Sequence, residues 1–285
     1  MTDTSLLARS LLYLPAANAR ALAKAPTLAA DVLILDLEDA VAPPAKEAAR
    51  AAAVAAADGV DWGYRRVAIR VNGAGTPWHA ADLAAAAASA ADFIIVPKVE
   101  SATAAAAAAA AAGGKPLLAM IETPRAVQQA DAIADVPAVF GLVAGFNDLA
   151  RDLRIRVRPG RPALLYAAAR MVNAARAAGA MVFDGVWGDI GDTAGLEAEA
   201  LQAAELGFDG KTCIHPSQLD TVNRAFGPDP AEIARAEAIV AGWEQARAAG
   251  LGVTSVDGRL VEELHAAAAA DLLAKAAAIH ARDAG

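Results

Sequence analysis

The chain has 285 residues, a formal net charge of −8, 56% hydrophobic residues and a single cysteine, Cys213. One cysteine excludes an intrachain disulfide, and the lack of a basic stripe argues against a nucleic-acid partner. The longest apolar run, Ala104–Ala112, is too short to span a membrane. Asp3 stands where a signal peptide carries positive charge. We therefore expect a cytoplasmic protein with no membrane partner.

Eight short runs rich in leucine and β-branched residues recur along the chain, and each is typical of a buried strand. The predicted strands are Leu11–Leu14, Val32–Leu37, Val67–Val71, Phe93–Val96, Leu117–Ile121, Val139–Ala144, Met181–Phe183 and Thr212–Ile214. Alanine-rich amphipathic helices are predicted between them over Lys46–Ala57, Trp78–Ala90, Thr103–Ala112, Pro124–Ala134, Leu164–Ala178 and Leu196–Leu206. This alternation predicts an α/β fold, and eight units predict a (β/α)8 TIM barrel. A doubly wound open sheet is the alternative, but no GxGxxG motif follows the first strand.

The pattern changes after residue 225, where Pro228 and Pro230 interrupt the chain. We predict a helix over Ala231–Ala249, a glycine-rich turn over Gly250–Gly258 and a final helix over Val261–Ala281. The chain is therefore expected to contain a barrel over residues 1–225 and a C-terminal helical extension over residues 226–285. The extension would pack outside the barrel, cover its mouth, or form a lid over a neighbouring subunit.

Polar side chains follow the predicted strands at their carboxyl ends, where barrels of this kind carry their active sites. Glu122 and Asp148 follow neighbouring strands, so a barrel places them side by side, and two carboxylates with waters form a typical Mg²⁺ site. The alternative for Glu122 is an electrostatic role at the start of the helix that contains Pro124. A zinc site is not expected, because the sequence has no HExxH motif.

Arg70 is the only cation among the inward positions of its predicted strand, and a buried guanidinium needs an anionic partner. It either binds a substrate carboxylate or forms an internal ion pair with the cluster Asp36–Asp39. His215 is either a base or, in the preferred interpretation, a structural residue that caps the helix begun by Pro216. Cys213 lies within a strand and is expected to pack rather than react.

Several motifs together resemble the citrate lyase beta-subunit-like branch of the HpcH/HpaI aldolase family. They occur in the family's order along almost the whole chain, at residues 9–15, 36–41, 70–72, 96–101, 121–124, 148–150, 208–211 and 214–218. The resemblance implies a TIM barrel that forms a homo-oligomer, either a trimer or a hexamer. It also implies Mg²⁺ as the cofactor and coenzyme A as part of the substrate.

The resemblance assigns roles to individual residues of this chain. Glu122 and Asp148 become the metal ligands, and Arg70 becomes the catalytic residue that holds the substrate carboxylate. Glu38 and Asp39 become supporting residues of the substrate site, where they hold metal-bound water or the Arg70 side chain in place. The remaining implied contacts are Lys98, Gly145 and Asn147 on the substrate side, and Arg9 and Lys24 on the coenzyme A side.

The chain departs from the family's pattern near its end. Many members carry an aspartate followed by proline there, and that aspartate acts in acid–base steps across a subunit boundary. In this chain Glu262 stands at the corresponding position, and the proline is absent. The Glu262 side chain is one methylene longer, and a shift of ~1 Å alters catalysis strongly. Either Glu262 serves as the predicted catalytic residue in a shifted geometry, or the thioester chemistry is changed or lost.

The resemblance predicts a Mg²⁺-dependent carbon–carbon lyase. Its substrate would be a 3-hydroxyacyl-CoA thioester of the malyl, citramalyl or citryl type, cleaved to acetyl-CoA or a related acyl-CoA and a 2-keto acid. Mg²⁺ bound by the substrate would polarise the hydroxyl or keto oxygen and would orient the carboxylate. Two alternatives remain, which are an aldolase acting on free hydroxy-keto acids without coenzyme A and a ligand-binding homologue that has lost turnover.

Overall fold

The computed structural model describes residues 6–283, and within them eight parallel strands form a closed barrel. Strands that are consecutive in sequence are neighbours in the barrel, and the first closes on the eighth with Leu11 opposite Thr212. The strands are β1 Ser10–Pro15, β2 Val32–Asp36, β3 Arg66–Arg70, β4 Phe93–Val96, β5 Leu117–Ile121, β6 Val139–Ala144, β7 Met181–Asp184 and β8 Gly210–Cys213. The prediction of a TIM barrel is confirmed.

Helices connect the strands and cover the outside of the barrel. They are α1 Ala19–Lys24, α2 Lys46–Gly59, α3 His79–Ala88, α4 Ala102–Ala111, α5 Pro124–Gln128, α6 Ala130–Ala134, α7 Phe146–Leu153, α8 Leu165–Ala178, α9 Thr193–Leu206 and α10 Leu219–Ala225. Side-chain caps begin several of them. Ser101 accepts a hydrogen bond from the Ala104 N–H at 3.1 Å, and Thr123 accepts one from the Ala126 N–H at 3.1 Å. Alanine supplies buried contacts along these helices, as Ala105 and Ala108 do in α4.

The helix predicted over Pro124–Ala134 is two short helices, α5 and α6. The helix is broken at Gln129, whose φ of −104° and ψ of 8° lie outside the helical region. The helix α7 was not predicted as a separate element. It follows β6 directly and, with the loop up to residue 161, is inserted before the barrel helix α8. This insertion places α7 at the carboxyl end of the strands, next to the predicted site.

A second compact unit contains residues 224–283 and the two described residues that precede the barrel unit. It consists of α11 Pro230–Ala248, a hairpin of β9 Thr254–Val256 and β10 Arg259–Val261, and α12 Glu263–Asp283. The hairpin occupies the region that the sequence predicted only as a turn. The division near residue 225 and the lid role of the extension remain predictions. Within residues 6–283, the structure contains no helix with the length and apolarity that a membrane span requires.

Candidate active site

A cavity of about 390 Å³ opens at the carboxyl ends of the barrel strands. The closed, parallel arrangement brings the residues that end or follow each strand to one rim, so side chains distant in sequence face the same space. The residues that line it are Tyr13, Pro15, Asp36, Asp39, Ala40, Arg70, Met120, Glu122, Ala144, Gly145, Phe146, Asn147, Asp148, Val186, Thr212 and Ile214. The cavity therefore contains both predicted metal ligands and the predicted arginine.

Glu122 follows β5 and is almost fully buried, with 4% of its surface exposed. Its Oε1 accepts a hydrogen bond from the Lys98 N–H at 2.7 Å. Lys98 adopts a φ of 53°, a left-handed conformation that is strained for a residue with a side chain. This strained backbone aims an N–H group at the carboxylate and fixes its orientation.

Burial raises the pKa of Glu122 to about 7, since removal of water disfavours the charged form. The Lys98 N–H lowers that pKa, and the charge of Asp148 raises it again. Because both carboxylates line the same cavity, the negative charge of Asp148 disfavours the ionised form of Glu122. Glu122 is thus an acid near neutrality that a bound cation would readily ionise.

Gly145 brings the segment that carries Asp148 close to Glu122. A Cβ atom added at Gly145 would lie 2.3 Å from the Glu122 Cβ and 2.7 Å from its Oε2, far inside normal contact. The φ of Gly145 is −104°, so glycine is required here by the close approach and not by backbone conformation. Asp148 lies in the first turn of α7, and its Oδ1 is 2.6 Å from Nη1 of Arg151, which is largely exposed.

The donor set at this rim fits a hard divalent cation. Glu122 and Asp148 offer carboxylate oxygens to the same cavity, and Mg²⁺ in proteins is typically bound by one or two carboxylates together with waters and substrate oxygens. Among residues 6–283 there is no group of three or more His, Cys, Asp or Glu side chains arranged to hold a metal ion. Most of the coordination would therefore come from water and substrate.

Arg70 is held by an internal ion pair, which was one of its two predicted roles. Its Nε and Nη2 contact the two carboxylate oxygens of Asp36 at 2.7 and 2.8 Å, a bidentate arrangement. Its Nη1 lies 3.1 Å from Glu38 Oε2 and 3.4 Å from Asp39 Oδ2, and its Cζ lies 4.6 Å from the Tyr13 ring centroid. The Asp36 pair fixes the guanidinium plane, while Nη1 is the side that a substrate oxygen could reach by displacing the exposed Asp39.

Glu38 is a second acid with an altered pKa beside the cavity. Burial raises its pKa to about 8, against the opposing effect of Arg70, so its carboxyl group is largely protonated at neutral pH. The loop that carries it is fixed from two sides. Asp36 accepts hydrogen bonds from the Glu38 and Ala40 N–H groups, and the buried Lys46 donates to the Glu38 carbonyl at 2.6 Å.

Two predicted residues lie elsewhere in the barrel unit. Arg9 was expected on the coenzyme A side, but it precedes β1 and therefore lies at the amino-terminal end of the strands, opposite the cavity. There it is buried and paired with Asp31 through Nε at 3.0 Å, which corrects the prediction. Lys24 ends α1 and is exposed, and a contact with coenzyme A remains a prediction for it. Lys98 contributes its backbone N–H to the site, while its side chain is exposed.

Other predictions have different outcomes. Gly145 and Asn147 line the cavity, and their contact with a substrate remains a prediction. Glu262 lies between β10 and α12 in the second unit, and its catalytic role remains a prediction. His215 caps the turn that follows β8, because its Nδ1 accepts a hydrogen bond from the Ser217 N–H at 3.2 Å. The capping contact of the preferred interpretation is therefore present, and the absence of a role as a base remains a prediction.

The sequence did not identify Tyr13, Phe146 or Thr212 as residues of the site, and it named Asp36 only as a possible ion-pair partner of Arg70. Tyr13 and Phe146 are aromatic residues of the kind that commonly pack in a core, so nothing in the sequence distinguished them as residues of the site. Asp36 carried a usable signal, because a charged residue that ends an otherwise apolar strand needs a partner. Arg70 on the next strand is that partner.

The comparison with protein families matches residues 9–216 to HpcH/HpaI aldolase/citrate lyase. A (3S)-malyl-CoA thioesterase from Cereibacter sphaeroides is 47% identical over 271 residues, covering 95% of each chain. The citrate lyase subunit beta from Escherichia coli is 34% identical over 266 residues, covering 89% of this chain and 88% of the relative.

Among solved structures, the protein CitE from Mycobacterium tuberculosis in complex with magnesium, acetoacetate and coenzyme A superposes with a TM-score of 0.82. It is 33% identical in sequence, and the match covers 96% of this chain and 99% of that one. The family match and the relatives confirm the prediction of an enzyme from a family of carbon–carbon lyases. The chain belongs to the HpcH/HpaI aldolase/citrate lyase family.

Proposed function

We propose that this protein hydrolyses the thioester bond of a short 3-hydroxy dicarboxylic acyl-CoA of the (3S)-malyl type, with Mg²⁺ as its cofactor. The observation that carries the site is the meeting of Glu122, Asp148 and Arg70 at one cavity. The choice of hydrolysis is supported by relatives described as (3S)-malyl-CoA thioesterase, which are 46–47% identical over 95% of the chain. Magnesium and coenzyme A are supported by the ligands of the CitE structure.

Glu122 and Asp148 would hold the cation, which when bound supplies a Lewis acid for the substrate oxygens. The Lys98 N–H keeps the Glu122 carboxylate in one orientation, and the absence of a side chain at Gly145 lets Asp148 approach it. These two features set the spacing of the ligand pair. Metal binding would therefore require little rearrangement of the barrel.

Arg70 would bind the free carboxylate of the substrate through Nη1, while Asp36 keeps the guanidinium fixed. Glu38 beside it has a pKa of about 8, so its Oε atoms can give or take a proton near neutral pH. In hydrolysis, the water oxygen bonds to the thioester carbonyl carbon, the carbon–sulfur bond breaks, and the thiol leaves with a proton. Glu38 and the predicted Glu262 are the chain's candidates for that proton transfer.

Carbon–carbon cleavage is the second candidate, and the family match together with the citrate lyase beta relatives supports it. In that reaction the 3-hydroxyl group loses its proton and becomes a carbonyl, and the carbon–carbon bond breaks. The electron pair passes to the carbon next to the thioester, which is then protonated. The same arginine and carboxylates would serve both reactions, because both act on the same acyl group.

One experiment separates the two reactions. The protein is incubated with (3S)-malyl-CoA and Mg²⁺, and the products are quantified together. Hydrolysis gives malate and free coenzyme A thiol, whereas cleavage gives glyoxylate and acetyl-CoA. A parallel reaction with excess chelator should give neither set, and a protein that binds Mg²⁺ but forms no product from malyl-, citramalyl- or citryl-CoA contradicts both proposals.

The two alternatives from the sequence are tested alongside. An aldolase without coenzyme A would release pyruvate from free hydroxy-keto acids, and a homologue without turnover would bind Mg²⁺ and oxaloacetate but form no product. A cytoplasmic location and assembly into a homotrimer or hexamer also remain predictions. Size-exclusion chromatography with light scattering would measure the assembly.

A further inference from the structure

Four charged side chains form a buried network between the barrel wall and α9, close to the cavity but outside it. Lys211 on β8 places its Nζ 2.7 Å from Asp184 Oδ2 and 2.7 Å from Glu199 Oε1. Arg161, in the loop before α8, places its Nη1 2.6 Å from the other oxygen of Asp184. The two cations and two carboxylates balance in charge.

Three members of the network are almost fully removed from water, Glu199 is partly exposed, and the network includes a strained residue. Asp184 and Lys211 have no exposed surface, and Arg161 is 2% exposed. Arg161 has a φ of 38°, which is unfavourable for a residue with a side chain. Burial of ion pairs contributes little net stability, because the cost of desolvation offsets their attraction. Overall stability is therefore a weak explanation for this arrangement.

The network holds the first residue of α7. The Arg161 Cζ lies 5.3 Å from the ring centroid of Phe146, a cation–π contact. On the other side, the carbonyl of Gly185 accepts a hydrogen bond from Lys211 Nζ at 2.6 Å. A Cβ added at Gly185 would lie 3.1 Å from Phe146 Cδ2, so the ring packs directly on this glycine. Phe146 thus contacts Arg161, a member of the network, and Gly185, whose carbonyl the network binds.

We propose that Arg161 is a positioning residue for the metal site, acting through Phe146. Phe146 opens α7, and Asp148 lies two residues later in the same helical turn. Gly145, the residue before Phe146, contacts Glu122. The first turn of α7 is therefore fixed at Gly145 by Glu122 and at Phe146 by the network, and this sets the distance between the two carboxylates. The inference rests on the proposed metal site.

The test is a calorimetric titration with Mg²⁺ of the wild type and three variants. Arg161→Met removes the cation–π contact and the ion pair. Gly185→Ala disturbs the seat of Phe146 without changing any charge. The control is Arg176→Met, which breaks a bidentate pair with Asp209 at the opposite ends of the same strands, β7 and β8. We expect the first two variants to weaken Mg²⁺ binding by about 10- to 100-fold and the control to leave it unchanged.

The outcomes separate this inference from the proposed function. A wild type that does not bind Mg²⁺ overturns the metal site, and the inference with it. A wild type that binds Mg²⁺, with Arg161→Met and Gly185→Ala binding it equally well, overturns the inference alone. If Arg161→Met does not fold, Gly185→Ala decides. A purely structural role would lower the melting temperature of these variants while leaving the Mg²⁺ affinity of the folded protein intact.

Discussion

The substitution Gly145→Ala tests whether the close approach of two segments creates the metal site. The added Cβ would lie 2.3 Å from the Glu122 Cβ, whereas carbon atoms in contact are normally about 3.5–4.0 Å apart. The start of α7 or the Glu122 side chain must therefore move by roughly 1 Å. Glu122 is held by the Lys98 N–H and packed among buried neighbours, so we expect α7 to move and to take Asp148 with it.

The size of the effect follows from this displacement. A misplacement of about 1 Å at a functional site costs on the order of 100-fold, which corresponds to about 3 kcal/mol of Mg²⁺ binding free energy. Overpacking should also lower the free energy of unfolding by about 1–3 kcal/mol. Calorimetric titration measures the first quantity, and denaturant unfolding in metal-free buffer measures the second.

Gly188→Ala is the matched control for this prediction. Gly188 lies in the loop after β7, and a Cβ added there would have no atom within 4 Å. We expect this variant to bind Mg²⁺ as the wild type does. The reasoning is refuted if Gly145→Ala retains wild-type Mg²⁺ affinity, or if both alanine variants lose affinity equally.

Three further predictions concern single side chains. Glu122→Gln should abolish most Mg²⁺ binding, because it removes a ligand charge, whereas His215→Asn should bind Mg²⁺ as the wild type does. Calorimetric titration measures both affinities. Loss of binding in the His215 variant alone would mean that the metal lies elsewhere. The pKa of Glu38 is about 8 in the folded state and about 4.5 in the unfolded chain. Between these values the unfolded chain releases the proton more readily, so the free energy of unfolding falls as pH rises. The melting temperature of Glu38→Gln should therefore rise relative to that of the wild type between pH 5 and pH 8.5. A difference between the two melting temperatures that does not change with pH would contradict this. Glu262→Asp should alter turnover of (3S)-malyl-CoA while Mg²⁺ affinity stays constant; altered affinity would place Glu262 at the metal.

The barrel was predictable from the sequence because its signals are local and repeated. Each strand is a short apolar run, and β4, β5 and β6 have the predicted bounds. Once the barrel is given, the convergence of Glu122 and Asp148 follows from topology, since they follow the neighbouring strands β5 and β6. The meeting of the two proposed metal ligands at one cavity could therefore be predicted from strand order without knowledge of any distance.

Features that depend on tertiary contacts were not predictable in the same way. The ion pair that buries Arg9 joins residues far apart in sequence at the amino-terminal end of the barrel. The position of Arg9 before the predicted strand Leu11–Leu14 indicated that end, but nothing in the sequence indicated Asp31 as its partner. The hairpin of the second unit was a missed local signal, because Asp257-Gly258 is the dipeptide expected in a two-residue turn, and both residues have positive φ.

The charge of the cavity leads to a final prediction about the order of binding. Four carboxylates line it, at Asp36, Asp39, Glu122 and Asp148, and Arg70 is the one cation among the lining residues. Asp36 pairs with Arg70 and Arg151 pairs with Asp148, so the excess negative charge is that of Asp39 and Glu122. An anionic substrate therefore meets a negative rim until a divalent cation reverses the local sign. We expect malate, the product of the proposed hydrolysis, to bind at least about tenfold more weakly in chelator than with Mg²⁺, since a tenfold change needs only about 1.4 kcal/mol. Calorimetric titration of malate in both buffers measures this, and equal affinities would show that the metal does not contribute to malate binding.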